Sequence, residues 1–220
     1  RCSRGMTPTH EGMEIYKQAE RLDTLFYELE NYSLAEHSIS GHLKISMTDG
    51  IGIYIMPHLV EFHELYPKVC VDVISNHNEV NLKARKADIA IVYQYPQKDN
   101  SLVVKEYKRE FGLFASIPYI KKYGMPLHPR DLVNHRVLLY SGTVRNPTKV
   151  LVKNGIEEEV VCGNIMKVAN ILAIRRSVLD GMGLAVDLPL IHCAEEIAAG
   201  KLIPILPGWV NPPHECFIIT

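Results

Sequence analysis

Apolar positions along the chain follow two periods, first that of a helix and then that of strands alternating with helices. Between Thr7 and Ser33 the residues Ile15, Ala19, Leu22, Phe26 and Leu29 recur at alternating spacings of four and three, a heptad seam. Met13, Tyr16, Leu25 and Tyr32 widen that seam beyond what a solvated helix carries. Thr7 suits the cap, Pro8 the first helical position because it has no N–H to leave unpaired, and Glu11 complements the positive helix end. Such a helix reaches on the order of 40 Å. Ile15, Ala19, Leu22, Phe26 and Leu29 are the expected dimerisation contacts, with packing onto the body of the same chain as the alternative.

The polar break from His37 to His42 ends this segment. Beyond it, Leu43–Met47 reads as a strand, Gly52–Tyr66 as a helix with Ile55, Leu59, Phe62 and Leu65 inward, and Val69–Ser75 as an alternating strand. A helix over Glu79–Lys86 and an apolar strand over Ile89–Val92 follow. This βαβαβ run predicts a parallel sheet covered on both faces. Tyr95–Asn100 is a second break, opening a second lobe with strands at Leu102–Tyr107, Gly112–Ser116 and Val137–Tyr140 and short helices starting at Pro118 and Pro129. A hairpin turning at Asn154-Gly155, a strand over Ile165–Val168, a helix over Asn170–Leu179 and a strand over Leu184–Val186 come next. The pattern closes with a helix over Leu188–Ala199 that Gly200 stops, then strand character at Leu202–Leu206 and Phe217–Ile219.

Composition narrows the class. Of 220 residues, 47% are hydrophobic and 22% charged, enough apolar material for one or two cores. The formal charge is −1, from 24 basic and 25 acidic side chains, so the chain lacks the electropositive excess of a nucleic-acid binder. Five widely separated cysteines, with no CxxC pair, suggest neither a disulfide framework nor a zinc knuckle and fit a reduced cytoplasmic protein. No apolar run has the length of a membrane-spanning helix and no secretory leader is visible. The basic start Arg1-Cys2-Ser3-Arg4-Gly5, without Met, and the apolar end Cys216–Thr220 predict a piece of a longer protein.

Enzyme chemistry finds little support. His58 and His63 are five apart, on different helix faces, and there is no HExxH, GxSxG elbow, P-loop or GxGxxG after an early strand. No catalytic residue, metal or cofactor is expected.

The order of motifs resembles one family across the whole chain. Arg4-Gly5-Met6-Thr7-Pro8-Thr9-His10-Glu11-Gly12 resembles the passage in LysR-type transcription regulators from the winged helix-turn-helix into the linker helix. Gly41–Ser46, Met56-Pro57 and Phe62-x-x-x-Tyr66-Pro67 are similar to the first regulatory strand and helix; Asp88–Val92 to the strand before the hinge. Gly181–Ala185 with Leu188-Pro189 is similar to the return crossing, and Gly200–Leu206 with Trp209 to the closing elements. The resemblance implies an α/β fold of two Rossmann-like lobes, like type II periplasmic binding proteins, behind a long linker helix. It divides the chain into a linker over 1–36, lobe I over 41–94 and 189–220, and lobe II over 95–188, with a hinge at Tyr93 and Asp187. It implies a small-molecule effector held between the lobes, a homodimer or homotetramer, and DNA contact only through an N-terminal domain preceding Arg1.

Ligands in open α/β sheets sit beyond the carboxyl ends of strands, at helix N-termini. Thr48, Asp49, Gly50 and Ile51 occupy such a position, the Thr48 hydroxyl and the amides of Gly50 and Ile51 being the expected contacts and an ordinary N-cap the alternative. His77, beside Asn76 and Asn78, follows the second strand. In the second lobe Ser116 ends a strand, and the resemblance places Ser141, Gly142, Thr143 and Asn170 toward the effector, with Asn164 as rival to Asn170. Asp49 or Asp187, if either faces the cleft, points to a cationic or hydroxyl-rich ligand. A two-lobed solute-binding protein and a thiol-based redox sensor of the same family are the competing readings.

Overall fold

A computed structural model describes residues 9–32, 39–75, 87–95 and 102–220. The leading helix, α1 (His10–Tyr32), is capped by Thr9, whose Oγ1 accepts the Gly12 N–H at 3.1 Å. Thr7, where the cap was expected, lies outside the described residues. Ile15 is 70% exposed and Leu22 57%, and Ala19 is exposed beside them, so the body of the chain leaves this part of the seam uncovered. The side chains of Phe26 and Leu29 lie outside the described residues.

The first lobe is built on β1 (Gly41–Met47), which pairs in parallel with β2 (Val69–Ser75) from Gly41↔Val69 to Met47↔Ser75. On its other side β1 pairs in parallel with β3 (Ile89–Val92), as the βαβ pattern predicts. The helix α2 (Asp49–Leu65) connects β1 to β2 and starts three residues earlier than its apolar periodicity indicates. The expected helix over 79–86 lies outside the described residues.

A single 14-residue strand, β4 (Val103–Ser116), replaces the two strands expected there, and it joins the lobes. Its first half pairs antiparallel with β11 (Asn211–Ile219), which in turn pairs with β3. Its second half, buried from Phe111 to Ser116, pairs antiparallel with β9 (Ala185–Pro189) and β10 (Leu202–Pro204). Hydrogen bonding is thus continuous along seven strands, yet the two halves carry separate cores.

The second lobe adds β5 (Arg136–Tyr140) in parallel with β8 (Asn164–Val168), and a bridge from Val137 to Leu184 sets β5 beside β9. The α3 helix (Ile117–Tyr123) and the 3₁₀ turn Pro129–Asn134 cover one face, and α4 (Ile171–Leu179) covers the other. Successive residues of β4 serve opposite faces: Leu113 and Ala115 join Tyr119, Leu132 and Trp209, whereas Phe114 joins Ile174, Val178 and Leu188. The hairpin of β6 (Val150–Lys153) and β7 (Ile156–Glu159) turns at Asn154 and Gly155, both at positive φ (51° and 80°), the backbone that an Asn-Gly type I′ turn requires.

Two expectations are corrected here. The helix read over Leu188–Ala199 is a strand end, a 3₁₀ turn at Leu190–His192 and a short α5 (Ala194–Ala198). Leu188 and Pro189 pair with Gly112 and Phe111, so the sheet claims residues whose apolar spacing also fits a helix. Residues 189–210, assigned from sequence to the first lobe, close the second: Leu202 packs with Phe114 and Ile174, and Ile205, Leu206 and Trp209 pack with Leu113 and Val137. The return crossing is β11, whose register with β4 shifts between Asn211 and His214, a break that lets a strand bend.

Candidate functional site

The carboxyl ends of β1, β3 and β5 and the N-termini of α2 and α4 converge on an open crevice between the lobes. It is open to solvent, with about 480 Å³ of non-protein space when its mouth is included. From the first lobe come Thr48, Asp49, Gly50 and Tyr93; from β4, Arg109; from the second lobe, Tyr140, Arg145, Asn170, Ile171 and His192 among others.

Thr48 is the N-cap residue of α2 but makes no side-chain cap; its Oγ1 lies 2.9 Å from the Tyr93 hydroxyl. The Thr48 carbonyl accepts from both Ile51 N–H and Gly52 N–H at 3.0 Å. The Ile51 amide is therefore committed within the helix turn, and Ile51 does not line the crevice. Asp49 lines it, exposed, and its Oδ1 accepts from the Ser75 hydroxyl. Asn170 lines the crevice and caps α4: its Oδ1 accepts from Leu172 N–H at 2.9 Å and Ala173 N–H at 3.1 Å.

Other sequence candidates lie elsewhere. Ser141 follows β5, is exposed, and donates its N–H to Val168 O at 3.0 Å. Gly142 packs against the Tyr140 ring so closely that a Cβ would stand 2.1 Å from its hydroxyl oxygen, and neither it nor Thr143 lines the crevice. Ser116 is buried under Gly181, and Asn164 starts the outer strand β8. His77 lies outside the described residues. Tyr93 lines the first-lobe wall, while Asp187, expected at a hinge surface, is fully buried within β9.

The sequence reading passed over two arginines. Arg145 is held in the second lobe by Asp187: both guanidinium NH2 groups lie 3.1 Å from Oδ2, and one also reaches the Asp187 carbonyl at 3.1 Å. Burial pushes the Asp187 carboxyl up while Arg145 pulls it down. Arg109 has no acid partner among the described residues and stands over the Tyr93 ring at 4.8 Å and the Phe111 ring at 5.6 Å. With Arg145 over Phe111 (4.9 Å) and Tyr140 (4.4 Å), rings and guanidinium groups alternate from one lobe to the other. Burial, reinforced by Arg109 and Arg175, lowers the His192 pKa to about 4. Burial, then Arg145 and Arg109, also lowers His214. These two histidines therefore add no charge near neutrality, and of the two crevice arginines Arg109 is the one without an acid partner among the described residues.

Burial pushes the Cys193 thiol up to about 12 and Cys162 up to about 11, so neither is a thiolate at neutral pH. Among the described residues no three His, Cys, Asp or Glu side chains are grouped to hold a metal, and no helix is long and apolar enough to cross a membrane.

The chain belongs to the LysR substrate-binding domain family, whose pattern matches residues 36–220. It is 28% identical over 218 residues to the uncharacterized HTH-type transcriptional regulator YhjC of Escherichia coli, covering 97% of this chain and 72% of that one. It is 28% identical over 211 residues to the HTH-type transcriptional regulator CrgA of Neisseria meningitidis, covering 94% and 69%. The full-length structure of the Vibrio cholerae virulence activator AphB superposes with a TM-score of 0.72 at 20% identity, covering 100% of this chain and 75% of that one. The chain is thus the effector-binding region of a LysR-type regulator, and its two-lobed α/β fold is that of the family.

Proposed function

We propose that this region binds a small anionic effector between its lobes, with Arg109 as charge partner and Thr48, Gly50 and Asn170 as polar contacts. The observation that carries the reading is the uncompensated Arg109 guanidinium facing the N-termini of two helices. Helix N-termini and an arginine favour the same sign of ligand. Of the two acids that from sequence left room for a cationic ligand, Asp187 is spent on Arg145. Asp49 lines the crevice, exposed and accepting from the Ser75 hydroxyl, so the anionic group is assigned to the Arg109 side. An effector touching both lobes binds one lobe arrangement better than another, and that difference in affinity is the energy available to shift the protein. The uncovered seam of α1 supports pairing with a second copy, so that lobe movement alters the spacing of the DNA-binding parts that LysR-type regulators carry. The protein acts as a cytoplasmic regulator and not as an enzyme.

The test is calorimetry and thermal shift with small carboxylates and inorganic phosphate on the chain and on Arg109→Gln. An anion should raise the melting temperature of the unaltered chain, since binding to the folded state alone stabilises it. Arg109→Gln should keep its fold and bind at least ~tenfold more weakly, as loss of a charge-assisted contact implies. Equal affinity in both chains removes Arg109 from the site.

A further inference from the structure

His192 is 3% exposed, lines the crevice, and has an imidazole that the protein satisfies on one side only. Its Nδ1 lies 3.0 Å from the Tyr54 hydroxyl, and that hydroxyl donates to the Ile191 carbonyl at 2.8 Å. A phenol has one proton, and here it is spent on Ile191. Nδ1 must therefore carry the hydrogen and donate to Tyr54, which leaves Nε2 as a bare lone pair.

Nε2 has no hydrogen-bond partner. In front of it stands Gly50, where a Cβ would lie 2.9 Å from Nε2 and 3.4 Å from Ile171 Cγ2. Gly50 makes no hydrogen bond to Nε2. Gly50 belongs to the first lobe, Ile171 and His192 to the second, so the acceptor sits where the lobes meet, and a ligand reaches it by taking the place of Gly50 there. Protonation does not relieve it near neutrality, because burial and two arginines keep the ring neutral.

We infer that the effector is a small hydroxy acid whose hydroxyl donates to His192 Nε2 while its anionic group meets Arg109. This rests on the anionic-effector reading and goes beyond it by naming the second group that the ligand carries. An ammonium group also donates, but Arg109 and Arg175 both bear on His192 and disfavour a second cation there. A neutral hydroxyl satisfies the lone pair without that repulsion.

The experiment is calorimetric titration of the chain with matched acids that differ by one hydroxyl: malate against succinate, lactate against propionate, 3-hydroxybenzoate against benzoate. At least one pair should show a preference of ~tenfold or more for the hydroxylated member, as expected where a buried acceptor goes unpaired with the other. His192→Phe should cut that preference, read as the ratio of affinities within each pair, below ~threefold. Should His192→Phe not fold, Tyr54→Phe serves, since it frees the Nδ1 proton to exchange to Nε2 and should erode the preference through the tautomer alone. Ring 15N shifts of the unaltered chain should show Nε2 unprotonated when free and moving only with the hydroxy acid. If both members of each pair bind alike and both are lost in Arg109→Gln, the hydroxyl inference falls and the anion reading stands. A preference that survives in both ring variants, or an Nε2 found protonated in the free chain, also overturns the inference. If no acid binds, both readings fall.

Discussion

Removing the Asp187 carboxylate tests whether the ion pair beneath the crevice organises the second lobe. The Asp187 side chain is 0% exposed and that of Arg145 7%, and three nitrogen–oxygen contacts of 3.1 Å join the residues. In Asp187→Ala the guanidinium keeps the backbone carbonyl and the two ring faces but loses its counter-ion. Breaking a buried pair from one side costs about 3–5 kcal/mol. Because Arg145 also borders the crevice, water can reach it, and the lower end, about 3 kcal/mol, is expected. Replacing both residues, as Arg145→Met with Asp187→Leu, leaves no stranded charge and should bring stability back to within about 1 kcal/mol of the unaltered chain. Urea unfolding followed by circular dichroism, with the slope checked for constancy, on the unaltered chain, Asp187→Leu, Arg145→Met and the double variant gives the four free energies of the cycle, with Asp187→Ala measured beside them. A loss below about 1 kcal/mol in the single variant, or a double variant as unstable as the summed singles, refutes the reasoning.

Three further outcomes follow from the same contacts. Gly50→Ala should lose about 1–3 kcal/mol by crowding His192 and Ile171, where helix propensity alone predicts a gain of about 0.5–1 kcal/mol; a melting-temperature rise would show that the lobes do not meet there. His192 has its pKa lowered from 6.5 to about 4. Its neutral form is held in the fold while the unfolded chain protonates, so stability is intact above pH 6.5, falls as pH drops toward 4, and loses up to about 3 kcal/mol over that window. His192→Phe should flatten this part of a stability-versus-pH curve, and an unchanged slope would assign the loss to other groups. Leu138→Ala, at a 0% exposed position of β5 between α4 and β9, should cost about 2–5 kcal/mol in the same urea assay.

Periodicity carried most of the fold and little of the site, for a physical reason. Strands β1, β2, β3 and β5, the hairpin at Asn154-Gly155 and helix α4 are each specified by local alternation, turn chemistry or a cap, and they stand where the pattern puts them. The strand end at Leu188-Pro189 was missed because its identity depends on Phe111 and Gly112, far away in sequence. The lobe boundary moved for the same cause: nothing local in 202–209 tells which sheet will bury Leu202, Ile205 and Trp209. At the crevice, Thr48, Asp49, Gly50 and Asn170 were legible because helix N-termini announce themselves by small polar residues. The arginines were not. Arg109 lies in a strand among Lys105, Lys108 and Glu110, where a charge reads as a solvated face, and only the crossing of β4 between the lobes turns it toward the ligand space.

That contrast bears on what distinguishes one regulator of this fold from another. The helix ends at Thr48 and Asn170 follow from the backbone, and a sequence that keeps the fold keeps their amides whatever ligand is bound. Arg109, Arg145 and His192 are side chains on the crossing strand, a loop and a 3₁₀ turn, where replacement leaves the helices and most of the sheet in place. In the proposed site, discrimination between effectors is therefore assigned to these residues, with Asp187 paired to Arg145 and Tyr54 to His192. If Arg109→Gln, Arg145→Met and His192→Phe each left the ranking of bound acids unchanged, selectivity would lie in the backbone amides, and the division of labour argued here would be wrong.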